Sequence, residues 1–180
     1  KNETSQDADE QKQAEAAAQN ADEKNAKDIA VQANEGEKDV ASKTDLETAL
    51  NDDNIHTINI TGNIRYTGSL TTSKRIVVKS GSTFTWSVYK GTFSVPLEIE
   101  SGATFAVSAF DFMSKAIMSG SVTNNGTINV TGKGECFWNA TVTGTGSFGA
   151  TTEDTYIRYG TVSTDKLTGS YRINILDDQS

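Results

Sequence analysis

Between Ile76 and Ala150 the chain states nearly the same short pattern four times. Ile76-Val-Val-Lys-Ser-Gly-Ser-Thr-Phe-Thr-Trp86 is echoed by Leu97-Glu-Ile-Glu-Ser-Gly-Ala-Thr-Phe-Ala-Val107. Looser copies follow in Val122-Thr-Asn-Asn-Gly-Thr-Ile-Asn-Val130 and Val142-Thr-Gly-Thr-Gly-Ser-Phe148. Each copy is a β-type run, a corner centred on glycine, and a second β-type run. The marker glycines Gly81, Gly102, Gly126 and Gly146 are separated by 21 (102 − 81), 24 (126 − 102) and 20 (146 − 126) residues. Periods of this size belong to stacked supersecondary units. One such unit cannot cover its own apolar face, so neighbours must cover it and the chain grows as a quasi-one-dimensional stack. The expected fold is all-β: a short parallel β-helix with rungs of about 20–24 residues.

Composition supports this reading where it bears on strands and corners. Aromatic and β-branched residues dominate after about residue 55, with Gly, Ser, Thr and Asn at the corners. Asn63, Asn124, Asn125, Asn129 and Asn139 recur near the turns, where stacked side chains can bond along the axis. Asn59, Asn125, Asn129 and Asn139 also open Asn-x-Thr sequons, read as by-products of this composition. The single proline, Pro96, stands where a strand begins, because it cannot donate to a ladder from inside one.

The first forty residues are different material. They contain no aromatic side chain and are rich in Ala, Glu, Gln, Asp, Asn and Lys. Alanine stripes, such as Ala14, Ala17, Ala18 and Ala21, favour helix but bury little area. Residues 1–43 are expected to form an acidic, helix-prone stalk or linker, and residues 44–180 the β-helix domain. The formal charge of −8 divides into −5 for residues 1–43 (6 basic, 11 acidic) and −3 for the rest (10 basic, 13 acidic). Such a chain lacks the basic stripe that nucleic acid requires, and no nucleic-acid partner is expected. Insertion of the chain into a membrane is not expected either, since no apolar run is long enough.

The boundary carries its own signal. Thr44-Asp45-Leu46-Glu47 has the form of a capping box, with Leu46, Ala49 and Leu50 on one face of the helix that follows. A helix Asp45–Leu50 is therefore predicted to close the open apolar end of the stack.

The stretch from Thr44 to Ile64, Thr-Asp-Leu-Glu-Thr-Ala-Leu-Asn-Asp-Asp-Asn-Ile-His-Thr-Ile-Asn-Ile-Thr-Gly-Asn-Ile, resembles the entry into pectate-lyase-like right-handed β-helices. It is most similar to the adhesive, non-catalytic versions in bacterial surface proteins. The resemblance covers the helix and first rung, and the later rungs only by rhythm. It implies export, an extracellular or cell-surface-anchored location, and a role in attachment to a protein or glycan ligand.

Catalysis is not expected. Asp52-Asp53, Glu98/Glu100 and Asp177-Asp178 do not converge as a Ca²⁺ cage would require. No opposed Asp pair recurs on adjacent rungs for hydrolysis. Arg65, Arg75, Arg158 and Arg172 are isolated in sequence, and the lone histidine, His56, lacks an orienting partner. Cys136 has no adjacent base and reads as a small buried hydrophobe. No cofactor and no metal are expected. The candidate ligand-binding residues are Phe110, Phe112 and Met113 in the one long interval, and Trp86, Tyr89 and Trp138 as aromatic faces for a sugar ring. The same side chains could instead be core. Two alternatives in other classes are a polysaccharide-active β-helix enzyme and an ice-binding solenoid. The latter is suggested by Thr83-x-Thr85 and Thr141-x-Thr143-x-Thr145, but Thr104-x-Ala106 and Thr127-x-Asn129 interrupt it.

Overall fold

Alternation of apolar and polar residues sets the strands, and the glycine corners set where the chain turns. The computed structural model describes residues 36–109, 111, 113–150, 156–159, 167–169 and 172–173. Strand β1 (Glu37–Val40) and helix α1 (Lys43–Asn51) come first. The first coil is β2 (Thr57–Ile60), β3 (Asn63–Thr67) and β4 (Leu70–Thr71), and the second is β5 (Arg75–Val78), β6 (Thr83–Val88) and β7 (Lys90–Ser94). The third is β8 (Leu97–Ile99), β9 (Thr104–Ala109) and β10 (Lys115–Ser119), and the fourth is β11 (Ser121–Asn124), β12 (Thr127–Gly132) and β13 (Glu135–Trp138). A fifth holds β14 (Thr141–Thr143), β15 (Ser147–Ala150) and β16 (Tyr156–Tyr159), followed by β17 (Leu167–Gly169) and β18 (Arg172–Ile173).

Among the described residues every pairing is parallel and joins one coil to the next, giving three sheets ordered β1-β2-β5-β8-β11-β14, β3-β6-β9-β12-β15-β17 and β4-β7-β10-β13-β16-β18. The expected parallel β-solenoid is the fold of this chain, with about five turns.

The register explains the core. Ile64, Phe84, Phe105, Ile128 and Phe148 stack in one inward column. Leu70, Phe93, Met118 and Trp138 form a second, and Ile58, Ile76, Leu97 and Val122 a third; all are buried. Phe93 is a hub, with ring centroids 6.1 Å from Phe84, 5.4 Å from Trp86 and 5.2 Å from Phe105. Tilted pairs at these separations add to the stabilisation from burial itself.

The four marker glycines serve two different needs. Gly81 and Gly102 take φ of 79° and 78°, a left-handed conformation that side chains rarely adopt. Gly126 and Gly146 instead lie against the coil beneath. A Cβ on Gly146 would stand 2.3 Å from the Gly126 carbonyl oxygen, and one on Gly126 would stand 2.4 Å from those of Ala103 and Glu100.

Asparagines bond along the axis at the same corners, as their recurrence suggested. Asn63 Oδ1 accepts from the Thr83 N–H at 3.1 Å, and Asn125 Oδ1 from the Thr145 N–H at 3.4 Å. Buried Asn124 donates to the Ser147 carbonyl at 2.8 Å and accepts from the Gly126 N–H at 3.1 Å. Asn129 stands inside β12 rather than at a corner.

Helix α1 closes the first coil, with Leu46 and Ala49 buried on the core. Its cap differs from the expectation: Ser42, not Thr44, is the N-cap. The Ser42 Oγ accepts from the Asp45 N–H at 3.2 Å and donates to the Asp45 carboxylate at 2.7 Å. Hydroxyl and carboxylate three residues apart satisfy the cap here as they would one turn-step later, and the preceding strand selects the earlier start. At the other end Lys74 donates to the last-turn carbonyl of Ala49 at 3.0 Å and to that of Asp52. A cation there bonds orphan carbonyls and complements the helix dipole.

Strand β1 lies before residue 44 and belongs to the solenoid: it pairs with β2 along its length and buries Val40. Charged Glu37, Lys38 and Asp39 conceal it in the sequence. The expected stalk over residues 1–35 lies outside the described residues.

Candidate functional site

The candidate side chains separate into three groups. Trp86 and Trp138 are both 0 % exposed, so neither offers a ring face to a sugar. Each shares strand parity with core residues: Trp86 is two positions from Phe84, and Trp138 two from Cys136. The Trp86 Nε1–H donates to the Gly68 carbonyl at 2.6 Å, tying the second coil to the corner of the first. Trp138 packs edge-on against Phe148 at 4.6 Å, and its Nε1–H has no hydrogen-bond partner among the described residues.

Phe110 and Phe112 lie outside the described residues. In the rest of the long interval, Met118 and Ala116 are core, Ile117 is half-buried, and Met113 is exposed.

Tyr89 and Met113 remain, and the fold brings them to one corner. Tyr89 is the single residue between β6 and β7, and Met113 lies in the turn between β9 and β10 directly above. The Lys115 N–H donates to the Tyr89 carbonyl at 2.7 Å, fixing one turn on the other. The upper turn is built by Asp111: its carboxylate accepts from the Met113 N–H at 2.6 Å, and its own N–H donates to the Ser114 hydroxyl at 3.1 Å. This Asx-type turn needs no hydrophobic anchor, which leaves the Met113 side chain 66 % exposed. Tyr89 is 41 % exposed, with the Lys90 ammonium 5.4 Å from its ring centre. Among the described residues these are the exposed large hydrophobics.

The titratable groups are dispersed. Arg75 pairs with Glu98 and Lys79 with Glu100, each bridging adjacent coils of the first sheet. The hydrogen bond from Lys79 holds the Glu100 carboxyl below its ordinary value, and the same bond raises Lys79. Arg65 is exposed and donates to the Ser87 hydroxyl at 3.1 Å. His56 is exposed beside Gly36, and its backbone N–H donates to the Gly36 carbonyl at 2.7 Å. Cys136 is buried, and burial pushes its thiol up to about 12. Among the described residues no group of three or more His, Cys, Asp or Glu side chains is close enough to hold a metal ion, and no helix is long and apolar enough to cross a membrane.

Two further features lie away from that corner. The outward columns of the second sheet are rich in hydroxyls: Asn63, Thr83, Thr104, Thr127 and Ser147 stand in register, with Ser147 Oγ donating to Thr127 Oγ1 at 3.2 Å. The other feature is a cleft around Tyr66 at the lid end. Its only sequence signal is an aromatic at an inward position of the first coil. Compared with protein families, curated proteins and solved structures, the chain matches none of them.

Proposed function

We propose that this chain is a non-catalytic attachment module, extracellular or anchored at a bacterial cell surface, that presents the Tyr89–Met113 corner to a protein or glycan ligand. One observation carries this reading: two large apolar side chains are exposed on consecutive turns of one corner, whose backbone is fixed by the Lys115 N–H on the Tyr89 carbonyl and the Met113 N–H on the Asp111 carboxylate. A rigid scaffold that exposes an aromatic and a methionine offers contact area at low ordering cost, and binding energy concentrates in a few such anchors. The adhesive members of the pectate-lyase-like β-helices remain the family this reading resembles.

The test is a glycan and extracellular-matrix array probed with the parent and with Tyr89→Ser and Met113→Ser. Binding that falls at least about tenfold in either variant, with melting unchanged, supports the assignment. Binding unaffected by both variants removes this corner as the contact. Incubation with polygalacturonate and Ca²⁺ should yield neither unsaturated products nor new reducing ends; turnover would replace the reading with the enzyme alternative.

The hydroxyl column of the second sheet favours ice binding as a second reading. Its adjacent column, Arg65, Thr85, Ala106, Asn129 and Gly149, is mixed. Thermal hysteresis lost in Thr104→Tyr would favour this alternative, and its absence the attachment module.

A further inference from the structure

Helix α1 packs over β1, β2 and β3, and leaves the far corner of the first coil incompletely covered. There β3 and β4 are the edge strands of their sheets, and β4 is only two residues long. The gap is a cleft of about 560 Å³ lined by Glu47, Leu50, Asn51, Tyr66, Thr71 and Thr72, together with Ser69 and Leu70. Its volume falls within the ~300–1,000 Å³ range usual for small-molecule sites.

Tyr66 is the informative side chain. It holds an inward register position opposite Trp86, yet is half-buried where Trp86 is wholly buried. With Leu50 it packs on the edge of the core and gives the cleft an apolar floor. Its hydroxyl reaches the Ser69 carbonyl only at 3.5 Å, the outer limit of a hydrogen bond. The rim is polar. Asn51 donates through Nδ2 to the Glu47 carbonyl at 2.8 Å, while its Oδ1 and the Thr71 hydroxyl are without a partner among the described residues. The Glu47 carboxylate is held by Lys43 one helical turn earlier.

We infer that this cleft binds a single uncharged sugar ring, with the C–H face of the pyranose on Tyr66 and Leu50 and its hydroxyls bonded to Glu47, Asn51 and Thr71. An aromatic floor with acceptors along one rim matches a ligand that has one apolar face and a girdle of O–H donors. Among the described residues no lysine or arginine lines the cleft to pair with the carboxylate of a uronic acid, so it favours a neutral ring. The cleft is at the lid end and does not involve the Tyr89–Met113 corner, so either site can fail without the other.

The test is a ¹⁵N-labelled full chain titrated with methyl glycosides of glucose, galactose and N-acetylglucosamine, with methyl glucuronate as the charged control. Saturable shifts at the amides of Asn51, Tyr66, Ser69 and Leu70 are expected with at least one neutral glycoside, at a Kd of about 1 mM. Binding should weaken at least about tenfold in Tyr66→Ala and in Asn51→Ala. The second variant changes an exposed residue and keeps the test valid if the first unfolds. No saturable shift with any neutral glycoside, shifts confined to other residues, or equal binding of the glucuronate would overturn the proposal.

Discussion

At the scale of single residues, the two tryptophans show how much a hydrogen-bond partner matters inside this core. Both are fully buried, but Trp86 donates to the Gly68 carbonyl while Trp138 finds no acceptor among the described residues. Losing a paired donor gives up its hydrogen bond, whereas losing an unpaired buried one gives up nothing of the kind. The Trp86 bond is only partly buried and water can reach the exposed Gly68 carbonyl, so Trp86→Phe should destabilise by about 1 kcal/mol more than Trp138→Phe, since both changes shrink the ring alike. Chemical denaturation of the two variants checks this, and equal losses would deny the contrast. The glycines make a second case. Gly81→Ala meets only backbone strain, at about 1 kcal/mol. Gly146→Ala meets a carbonyl oxygen and should cost several times more, measured by the same melts. The repeat makes all four marker glycines look equivalent in sequence. Which are turns and which are close approaches depends on the spacing of the coil beneath, which no local pattern states.

At the scale of the element, the lid is where sequence signals were strongest and still shifted. The capping signal, the apolar face and the position before the first strand are all legible around residues 44–50. The true start at Ser42 depends on β1, whose three exposed charges hide a strand that only its partner β2 defines. Burial was less legible. Tryptophan suits both a core and a sugar platform, and period-two parity with Phe84 and Cys136 decides the matter only once the strands are placed. Leu46→Asp would put a carboxylate against the end of the stack. It should lower stability by at least the ~2–5 kcal/mol that a buried leucine supplies, and an unchanged thermal melt would show that α1 is not a lid.

At the scale of the whole molecule, each coil is stabilised by its neighbours, and β1 is the last layer at one end of the first sheet. Removing residues 1–35 should leave the β signal in circular dichroism and the melting temperature intact. Removing residues 1–41 deletes β1 with buried Val40, and should cost at least the ~1.5–3 kcal/mol of that side chain. Equal melting of the two truncations would place the start of the domain after β1. The overall fold was legible because a repeated apolar column can be buried only by stacking copies of itself. Of the candidate sites, Tyr89 and Met113 were legible as residues but not as one corner, and the Tyr66 cleft was not legible at all, because both arise where the repetition is broken: at a long turn and beside a short strand.

The exclusively parallel, coil-to-coil pairing has a mechanical consequence. Tension along the axis meets the ladder bonds of one coil at a time rather than all of them together. Under load the domain should pay out chain in steps, each coil of some twenty residues releasing about 70 Å at full extension. A domain built this way yields gradually, as a shock absorber does, and keeps the contacts of the coils that have not yet unwound.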